Sequence, residues 1–166
     1  TTYANLFEIP YIVLRASAFF GPYQPRRSFI ADIIQKMKEQ DNITVGPLKS
    51  VKNFVYVGDV ASAVLSATKA PKNARNRTYN IGGKPKSLSQ ILLLCKGIVE
   101  QRTKRRIRIH IDRSIRLPQK NDIGPFTLST GAAEKSLRWK IKVSLEKGLQ
   151  YTADYFLTQE NKPENK

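Results

Sequence analysis

Few side chains in this sequence could carry acid–base, nucleophilic or metal chemistry. It contains one histidine and one cysteine. Cys95 stands in an apolar run and has no second cysteine to complete a disulfide or a zinc site, so we predict a small buried residue. His110 alternates with isoleucines, which is typical of an exposed position on a strand. We therefore predict no catalytic residue and no metal site, and the single cysteine makes a reducing, cytoplasmic compartment the default expectation.

Positively charged side chains are the other residues of this sequence that could bind a ligand. Its 29 Lys and Arg outnumber 13 Asp and Glu, which gives a net charge of +16. The densest stretch, residues 100–120, has eight basic against two acidic residues. Such charge suits nucleic acid, an acidic membrane surface or phosphate-bearing small molecules. Because the basic run has no interleaved aromatic residues and no recognisable nucleic-acid motif, a basic nucleic-acid-binding protein is only a third hypothesis.

The apolar runs and the glycines exclude two further kinds of site. The longest apolar runs, such as residues 91–95, are too short to cross a bilayer, so no membrane partner is expected. Gly82 and Gly83 predict a turn and not a phosphate-binding loop, because no further glycine follows at the required spacing.

The elements that must position these residues alternate along the chain. Its 166 residues suit one domain, and 40% hydrophobic residues suffice for a core. Strand-like and helix-like segments in alternation predict an α/β fold with parallel strands. We predict strands at 11–15, 43–45, 54–57, 79–81 and 107–111, and helices beginning after Ser28, Asp59, Ser87, residue 131 and Ser144. Asp59 is predicted to cap the helix at 60–68, and Ser87 with Gln90 to form a capping box.

Five segments in one order carry a resemblance to a known family. They are VLRASAFFGPYQ (13–24), FIADII (29–34), VKNFVYVGDVASAV (51–64), YNIGGKPKSLSQI (79–91) and LRWKIKVSLEKGL (137–149). This order resembles the C-terminal half of the extended short-chain dehydrogenase/reductases, the NAD(P)-dependent nucleotide-sugar epimerases and dehydratases. That family typically shows "LRPFNVYGPGQ", "RDFIYVDDVARA", "YNIGSGKPVSL" and "LGWKPKVSLEEGL". The connection at 45–54 resembles more weakly that of GDP-mannose dehydratases and GDP-sugar reductases.

The resemblance implies a fold and a domain organisation. It implies the last strands of a partial Rossmann-like sheet with a small α/β substrate-binding subdomain, spanning residues 1–157, followed by a polar tail at 158–166. The family's Gly-x-x-Gly-x-x-Gly loop and its Tyr-x-x-x-Lys pair do not occur in this sequence. Tyr3 cannot stand in for the tyrosine, because Phe7 takes the place of the lysine. The chain is therefore interpreted as lacking the dinucleotide-binding half.

The same resemblance implies the site residues. Lys52 replaces the arginine of "RDF" as a cation for the nucleotide diphosphate, although lysine lacks the planar fork of arginine. Arg116, or with less support Lys120, corresponds to a second phosphate-binding arginine. Substrate-binding positions are Lys52, Arg116, Val45, Gly46 and Gln24, and cofactor-binding positions are Ala16, Ser17 and Ala18.

Departures from the family pattern leave two interpretations of activity open. Ala18 replaces an asparagine that hydrogen-bonds near the nicotinamide, Ser129 replaces an aspartate, and Arg138 replaces a glycine. The first interpretation is the substrate-binding portion of a nucleotide-sugar epimerase, dehydratase or reductase, which uses NAD(P) only when an N-terminal half or a second subunit completes it. The second is a non-catalytic, truncated or degenerate relative that acts as a binding or scaffold module.

Overall fold

A computed structural model describes residues 2–115 and 128–159 of the chain. The helices are α1 (Thr2–Leu6), α2 (Phe29–Glu39), α3 (Val57–Thr68), α4 (Leu88–Thr103), α5 (Gly131–Leu137) and α6 (Leu145–Thr158), with a short 3-10 turn at Lys72–Ala74. The strands are β1 (Ile12–Ala16), β2 (Phe19–Phe20), β3 (Asn42–Val45), β4 (Val51–Asn53), β5 (Val55–Tyr56), β6 (Arg77–Ile81), β7 (Pro85–Ser87) and β8 (Arg108–Ile111).

The described strands associate in pairs. Three pairs are parallel, β1 with β6, β2 with β5, and β3 with β8, and β4 pairs antiparallel with β7. Parallel strands need crossover connections, and the helices between them supply these, which gives the α/β architecture that the sequence predicted. Among the described residues β1 has a strand on one edge only.

Two hydrophobic clusters form the core. The first cluster packs α2, α4 and α6 around Ile34, Met37, Ile91, Cys95 and Leu149. The second cluster packs α3 and α5 against β1 and β6 and is centred on Tyr79, Ile81 and Trp139. Cys95 is buried and His110 is exposed, which confirms both predictions, and Leu137 and Trp139 are buried as well.

Helix starts follow the predicted caps in part. Ser87 and Gln90 form the predicted capping box, and the Ser144 side chain accepts a hydrogen bond from the Lys147 amide at the start of α6. Ser28 precedes α2, but its hydroxyl donates to the Pro25 carbonyl oxygen and caps no amide. Thus two of the three serines that precede these helices cap them.

The prediction that Asp59 caps α3 is wrong. The helix begins at Val57, three residues before the predicted start, so that Asp59 lies inside its first turn. The side chain is buried, and its two carboxylate oxygens accept hydrogen bonds from the Lys142 and Val143 amides at 2.9 and 3.1 Å. The carboxylate therefore holds the segment that enters α6. It satisfies two backbone amides that have no other hydrogen-bond partner among the described residues.

Candidate functional site

The carboxyl ends of β1 and β6 meet at one edge of the parallel pair. Their register aligns Ala16 with Ile81, and the Ser17 amide donates to the Ile81 carbonyl oxygen at 2.8 Å. In open α/β sheets, ligands bind outside the carboxyl ends of the strands. The predicted cofactor-binding residues Ala16, Ser17 and Ala18 thus lie at the position where this architecture places a ligand.

The two glycines after β6 allow unusually close packing at this edge. A Cβ atom on Gly83 would lie 2.0 Å from the carbonyl oxygen of Phe54, which no side chain can occupy. A Cβ atom on Gly82 would lie 3.3 Å from the Ser17 Cβ atom and 3.4 Å from that of Asn53. The glycine pair is therefore required because it brings the end of β6 against both β1 and β4.

Asn53, which was not predicted as a site residue, bonds β4 to the turn after β6 and to the backbone at Leu128. It is 1% exposed, and its Nδ2 group donates to the Gly83 carbonyl oxygen at 2.6 Å while its Oδ1 atom accepts from the Leu128 amide at 3.1 Å. An amide can donate and accept in this way, whereas a carboxylate could only accept. The sequence shows only that Asn53 stands where the family motif has an aspartate, and its two partners are distant along the chain.

Lys52 precedes Asn53 on β4 and is half-buried. The pairing of β4 with β7 places it directly opposite Lys86. Lys52 forms no ion pair with any carboxylate in the described parts of the chain. It therefore has an uncompensated charge close to the Asn53 contacts, which is compatible with an anionic ligand.

The other predicted substrate-binding residues belong to other segments of the chain. Val45 ends β3 beside β8, and its carbonyl oxygen accepts from the Asp112 amide at 2.9 Å. Gly46 follows it, where a Cβ atom would lie 3.1 Å from the Ile115 carbonyl oxygen. The Nε2 group of Gln24 is buried and has no hydrogen-bond partner among the described residues. Arg116 and Lys120 lie outside the described residues.

A cavity of about 420 Å³ lies behind the Gly83 turn. Its lining is mainly apolar and aromatic, with the lysines of β7 and of the turn at its border: Phe20, Phe54, Tyr56, Ile141, Lys84 and Lys86 are among the residues that form it. Burial, the Tyr151 hydroxyl and the Asp59 carboxylate together raise the pKa of Tyr56, so its hydroxyl is neutral and can donate a hydrogen bond at neutral pH.

The residues present fit only part of a dinucleotide. The side chains of Ala16 and Ala18 cannot hydrogen-bond, and the Ala18 carbonyl oxygen already accepts from the Val55 amide. The Oδ1 atom of Asn80, which is aligned with Arg15 near the end of β6, is buried without a partner among the described residues. The Asn80 Oδ1 atom and the Ser17 hydroxyl suit an amide-bearing ring such as nicotinamide. Nothing in the sequence matches the glycine-rich loop that binds a dinucleotide pyrophosphate.

Comparison with known proteins shows which family this chain resembles. Residues 1–82 match the model of the NAD dependent epimerase/dehydratase family. The comparisons support membership of this family. A putative UDP-glucose 4-epimerase of Methanocaldococcus jannaschii is 31% identical over 158 residues, covering 92% of this chain and 48% of that protein. The dTDP-glucose 4,6-dehydratase of Shigella flexneri is 25% identical, covering 96% of this chain and 44% of that protein.

Solved structures of the family show the same Rossmann-like fold. The UDP-glucose 4-epimerase of Thermotoga maritima, crystallised with UDP-glucose, is 29% identical with a TM-score of 0.79, covering 93% of this chain and 48% of that one. The UDP-glucuronic acid 4-epimerase of Bacillus cereus, solved with UDP-glucuronic acid and NAD, is 25% identical with a TM-score of 0.74 and the same coverage. The predicted fold class is thereby confirmed.

Three of the predictions gain no support from the relatives. The chain spans about half the length of the curated relatives it matches. These relatives do not confirm the weaker resemblance to GDP-mannose dehydratases, and they do not favour the alternative functions of a scaffold or a nucleic-acid binder. In the described ranges no helix is long and apolar enough to cross a membrane, and no three potential metal ligands lie together.

Proposed function

We propose that this chain is the nucleotide-sugar-binding half of an NAD(P)-dependent epimerase, dehydratase or reductase. The observation that carries the proposal is the junction at which Asn53 joins the turn after β6 to the strand that bears Lys52. This junction lies at the carboxyl ends of parallel strands, where a sugar and a nicotinamide ring can meet. Ala16, Ser17 and Ala18 then form the wall on the cofactor side.

The substrate side is formed by the cations and the small residues. Lys52 binds the diphosphate, since an ammonium group donates charge-assisted hydrogen bonds to phosphate oxygens. In this proposal Arg116 supplies the second cation, and Val45, Gly46 and Gln24 contact the remainder of the nucleotide sugar. Gln24 is suited to this because its buried Nε2 group has a hydrogen bond left to donate.

The catalytic step requires parts that these residues do not supply. NAD(P) provides the hydride acceptor and donor when it is bound. Ser17 and Asn80 orient its nicotinamide end, and the acid–base pair of the reaction belongs to a dinucleotide-binding half. The contribution of this chain is to bind the substrate and to close one side of the site against water.

The surface around β1 supports the existence of such a partner half. The outer edge of β1 has no strand among the described residues, and six apolar residues of α1, its following turn and α3 are each more than half exposed: Tyr3, Leu6, Phe7, Ile9, Val64 and Leu65. Apolar exposure on this scale marks an interaction surface. The family members are about twice as long as this chain, which is the length that a dinucleotide-binding half would add.

Isothermal titration with nucleotide sugars tests the proposal. UDP-glucose, dTDP-glucose and GDP-mannose are titrated into the chain alone and into its complex with a dinucleotide-binding half supplied as a second polypeptide. We expect at least one of them to bind the complex, and Lys52→Met to weaken that binding. If none of the three binds even the complex, the proposed function is wrong.

A further inference from the structure

We propose that Lys52 and Lys86 form a two-cation clamp that holds one diphosphate group between them. The identity of the ligand as a nucleotide diphosphate rests on the proposed function, whereas the pairing of the two lysines rests on the strand register alone. Lys86 thereby becomes a second phosphate-binding residue of this chain.

The strand register brings the two side chains to one face. In the antiparallel pair β4–β7, Lys52 is aligned with Lys86, between the aligned pairs Val51–Ser87 and Asn53–Pro85. Directly opposite residues of an antiparallel pair have Cβ atoms about 4.5–5.5 Å apart on the same face. Lysine stems of four carbons can therefore carry both ammonium groups to one ligand.

The contacts at both ends of the pair fix this register. At one end Asn53 is held by its bonds to Gly83 and Leu128. At the other end the amide of Leu88, the first residue of α4, donates to the Ser50 carbonyl oxygen at 2.9 Å. Since neither strand can slip by one residue without breaking these bonds, the two lysines remain opposite each other.

The juxtaposition of like charges is unfavourable without a ligand. Like charges directly opposite on a sheet destabilise it, and both lysines are half-buried, which reduces screening by water. Neither has an ion-pair or side-chain hydrogen-bond partner in the described ranges, although Glu146 borders the same cavity as Lys86. A divalent anion between the two lysines would compensate both charges.

The clamp also accounts for the chemistry at position 52. An arginine binds a phosphate through two parallel N–H groups, and a single lysine cannot reproduce that fork. Two ammonium groups on neighbouring strands provide two donors at a fixed spacing. This sequence has lysine at position 52, where the family motif has arginine, and a second lysine at position 86, where the motif "GKPVSL" has valine. Lys86 thus adds a cation in a sequence that lacks the guanidinium at position 52.

Titration of single-charge variants tests the clamp in the full chain. Inorganic pyrophosphate, UDP and UDP-glucose are titrated into wild type, Lys52→Met, Lys86→Met and Lys72→Met in 150 mM salt, which suppresses non-specific binding to a basic surface. Lys72 is an exposed lysine at the opposite end of β6 and serves as the control for net charge. We expect pyrophosphate affinity to fall about tenfold in Lys52→Met and in Lys86→Met and to stay unchanged in Lys72→Met.

A second measurement reports the clamp without ligand. If the two charges repel each other, Lys86→Met and Lys86→Gln raise the urea midpoint of the free chain, and the double change at 52 and 86 adds little to either single change. A loss of stability in both Lys86 variants would overturn the proposal, because the lysine would then be supported by the fold itself.

The outcomes separate the clamp from the proposed function. Tighter binding of UDP than of pyrophosphate assigns the clamp to a nucleotide, and equal binding assigns it to a free diphosphate. Pyrophosphate binding that depends on both lysines, together with no binding of any nucleotide sugar, supports the clamp and sinks the proposed function. UDP-glucose binding that is insensitive to Lys86→Met supports the proposed function and overturns the clamp. An equal loss in Lys72→Met, or no binding of any of the three probes, overturns the clamp.

Discussion

The indole Nε1 group of Trp139 donates a hydrogen bond of 2.9 Å to the backbone carbonyl oxygen of Asp59. The same aspartate holds the Lys142 and Val143 amides through its carboxylate. The first turn of α3 is thereby joined twice to the segment between α5 and α6, by its backbone and by its side chain. This junction sets the position of α6, whose first residues border the cavity behind the Gly83 turn.

Replacing Trp139 by phenylalanine tests this junction. The variant loses the bond to Asp59 and leaves a small cavity in the second cluster, so we expect the free energy of unfolding to fall by about 2–4 kcal/mol. Tyr79→Phe is the matched control, since it removes only the buried hydroxyl that donates to the Ala74 carbonyl oxygen and should cost about 1 kcal/mol. Urea unfolding measures both, and an equal loss in the two variants would contradict the role of the indole.

Alanine at Gly83 tests the close approach that builds the site. The new methyl group would lie 2.0 Å from the Phe54 carbonyl oxygen, and backbone atoms must shift to admit it. We expect a loss of stability of about 3 kcal/mol, at the upper end of the range for overpacking.

Gly97 provides the control for that substitution. It lies within α4, and a Cβ atom there meets no atom within 4 Å. Gly97→Ala should therefore stabilise the chain by about 1 kcal/mol through helix propensity alone. A Gly83→Ala variant as stable as wild type would show that the turn is not constrained by Phe54.

Glycine at position 138 should stabilise the protein. Arg138 ends α5 with φ of 54° and ψ of 27°, in the left-handed region that costs a side chain about 1 kcal/mol. Arg138→Gly removes that cost, so we expect a gain of up to about 1 kcal/mol in thermal unfolding. Arg138→Ala removes the same charge but keeps the Cβ atom, and a similar gain in that variant would point to charge and not to backbone geometry.

The thiol of Cys95 should resist modification at mildly alkaline pH. Complete burial raises its pKa to about 12, so the reactive thiolate is scarce in the folded chain. Because the thiol has the higher pKa in the folded state, its contribution to stability is intact below its unfolded pKa of about 9 and is lost as the pH rises towards 12.

Thiol labelling at pH 8 measures the reactivity of Cys95, and urea unfolding between pH 8 and pH 11 measures the pH dependence of stability. We expect slow labelling that accelerates in urea, and a steeper alkaline loss of stability in wild type than in Cys95→Val, which keeps the apolar volume but cannot ionise. Rapid labelling of the folded chain would contradict burial of the thiol.

Local signals predicted the longer elements of the fold. The spacing of Ser87 and Gln90 fixed the start of α4, and Ser144 fixed that of α6, because capping depends only on neighbours in sequence. The strands β2, β4 and β7 were not predicted, since segments of two or three residues become strands through their partners and carry no period of their own. The position of Asp59 was misjudged for the same reason, as its amide partners are more than 80 residues away.

The candidate site was predicted less completely. The sequence placed Ala16, Ser17 and Ala18 at the end of a strand, where the structure has them. It did not reveal Asn53, because the bonds that give this residue its role join segments 30 and 75 residues apart. The boundary between residues 157 and 158 stays a prediction; α6 ends at Thr158.

Part of the basic stretch has a structural role. Arg105 donates to the Lys38 carbonyl oxygen at the end of α2 and pairs with Asp41, and Arg102 pairs with Asp154 on α6. Lys38 in turn donates to the Phe156 and Gln159 carbonyl oxygens at the end of α6. Cations at helix C-termini satisfy carbonyl groups and the helix dipole, so these charges stabilise the fold without any nucleic acid.

The position of β5 between the two clusters has a mechanical consequence. Phe54 packs in the first cluster and the next residue, Val55, packs in the second. A displacement of one side chain moves the backbone that carries the other, since adjacent residues cannot rotate independently within packed surroundings. The Phe54–Val55 peptide bond is thus a direct covalent link between the cluster around the helices and the cluster around β1 and β6, in addition to the Asp59 junction.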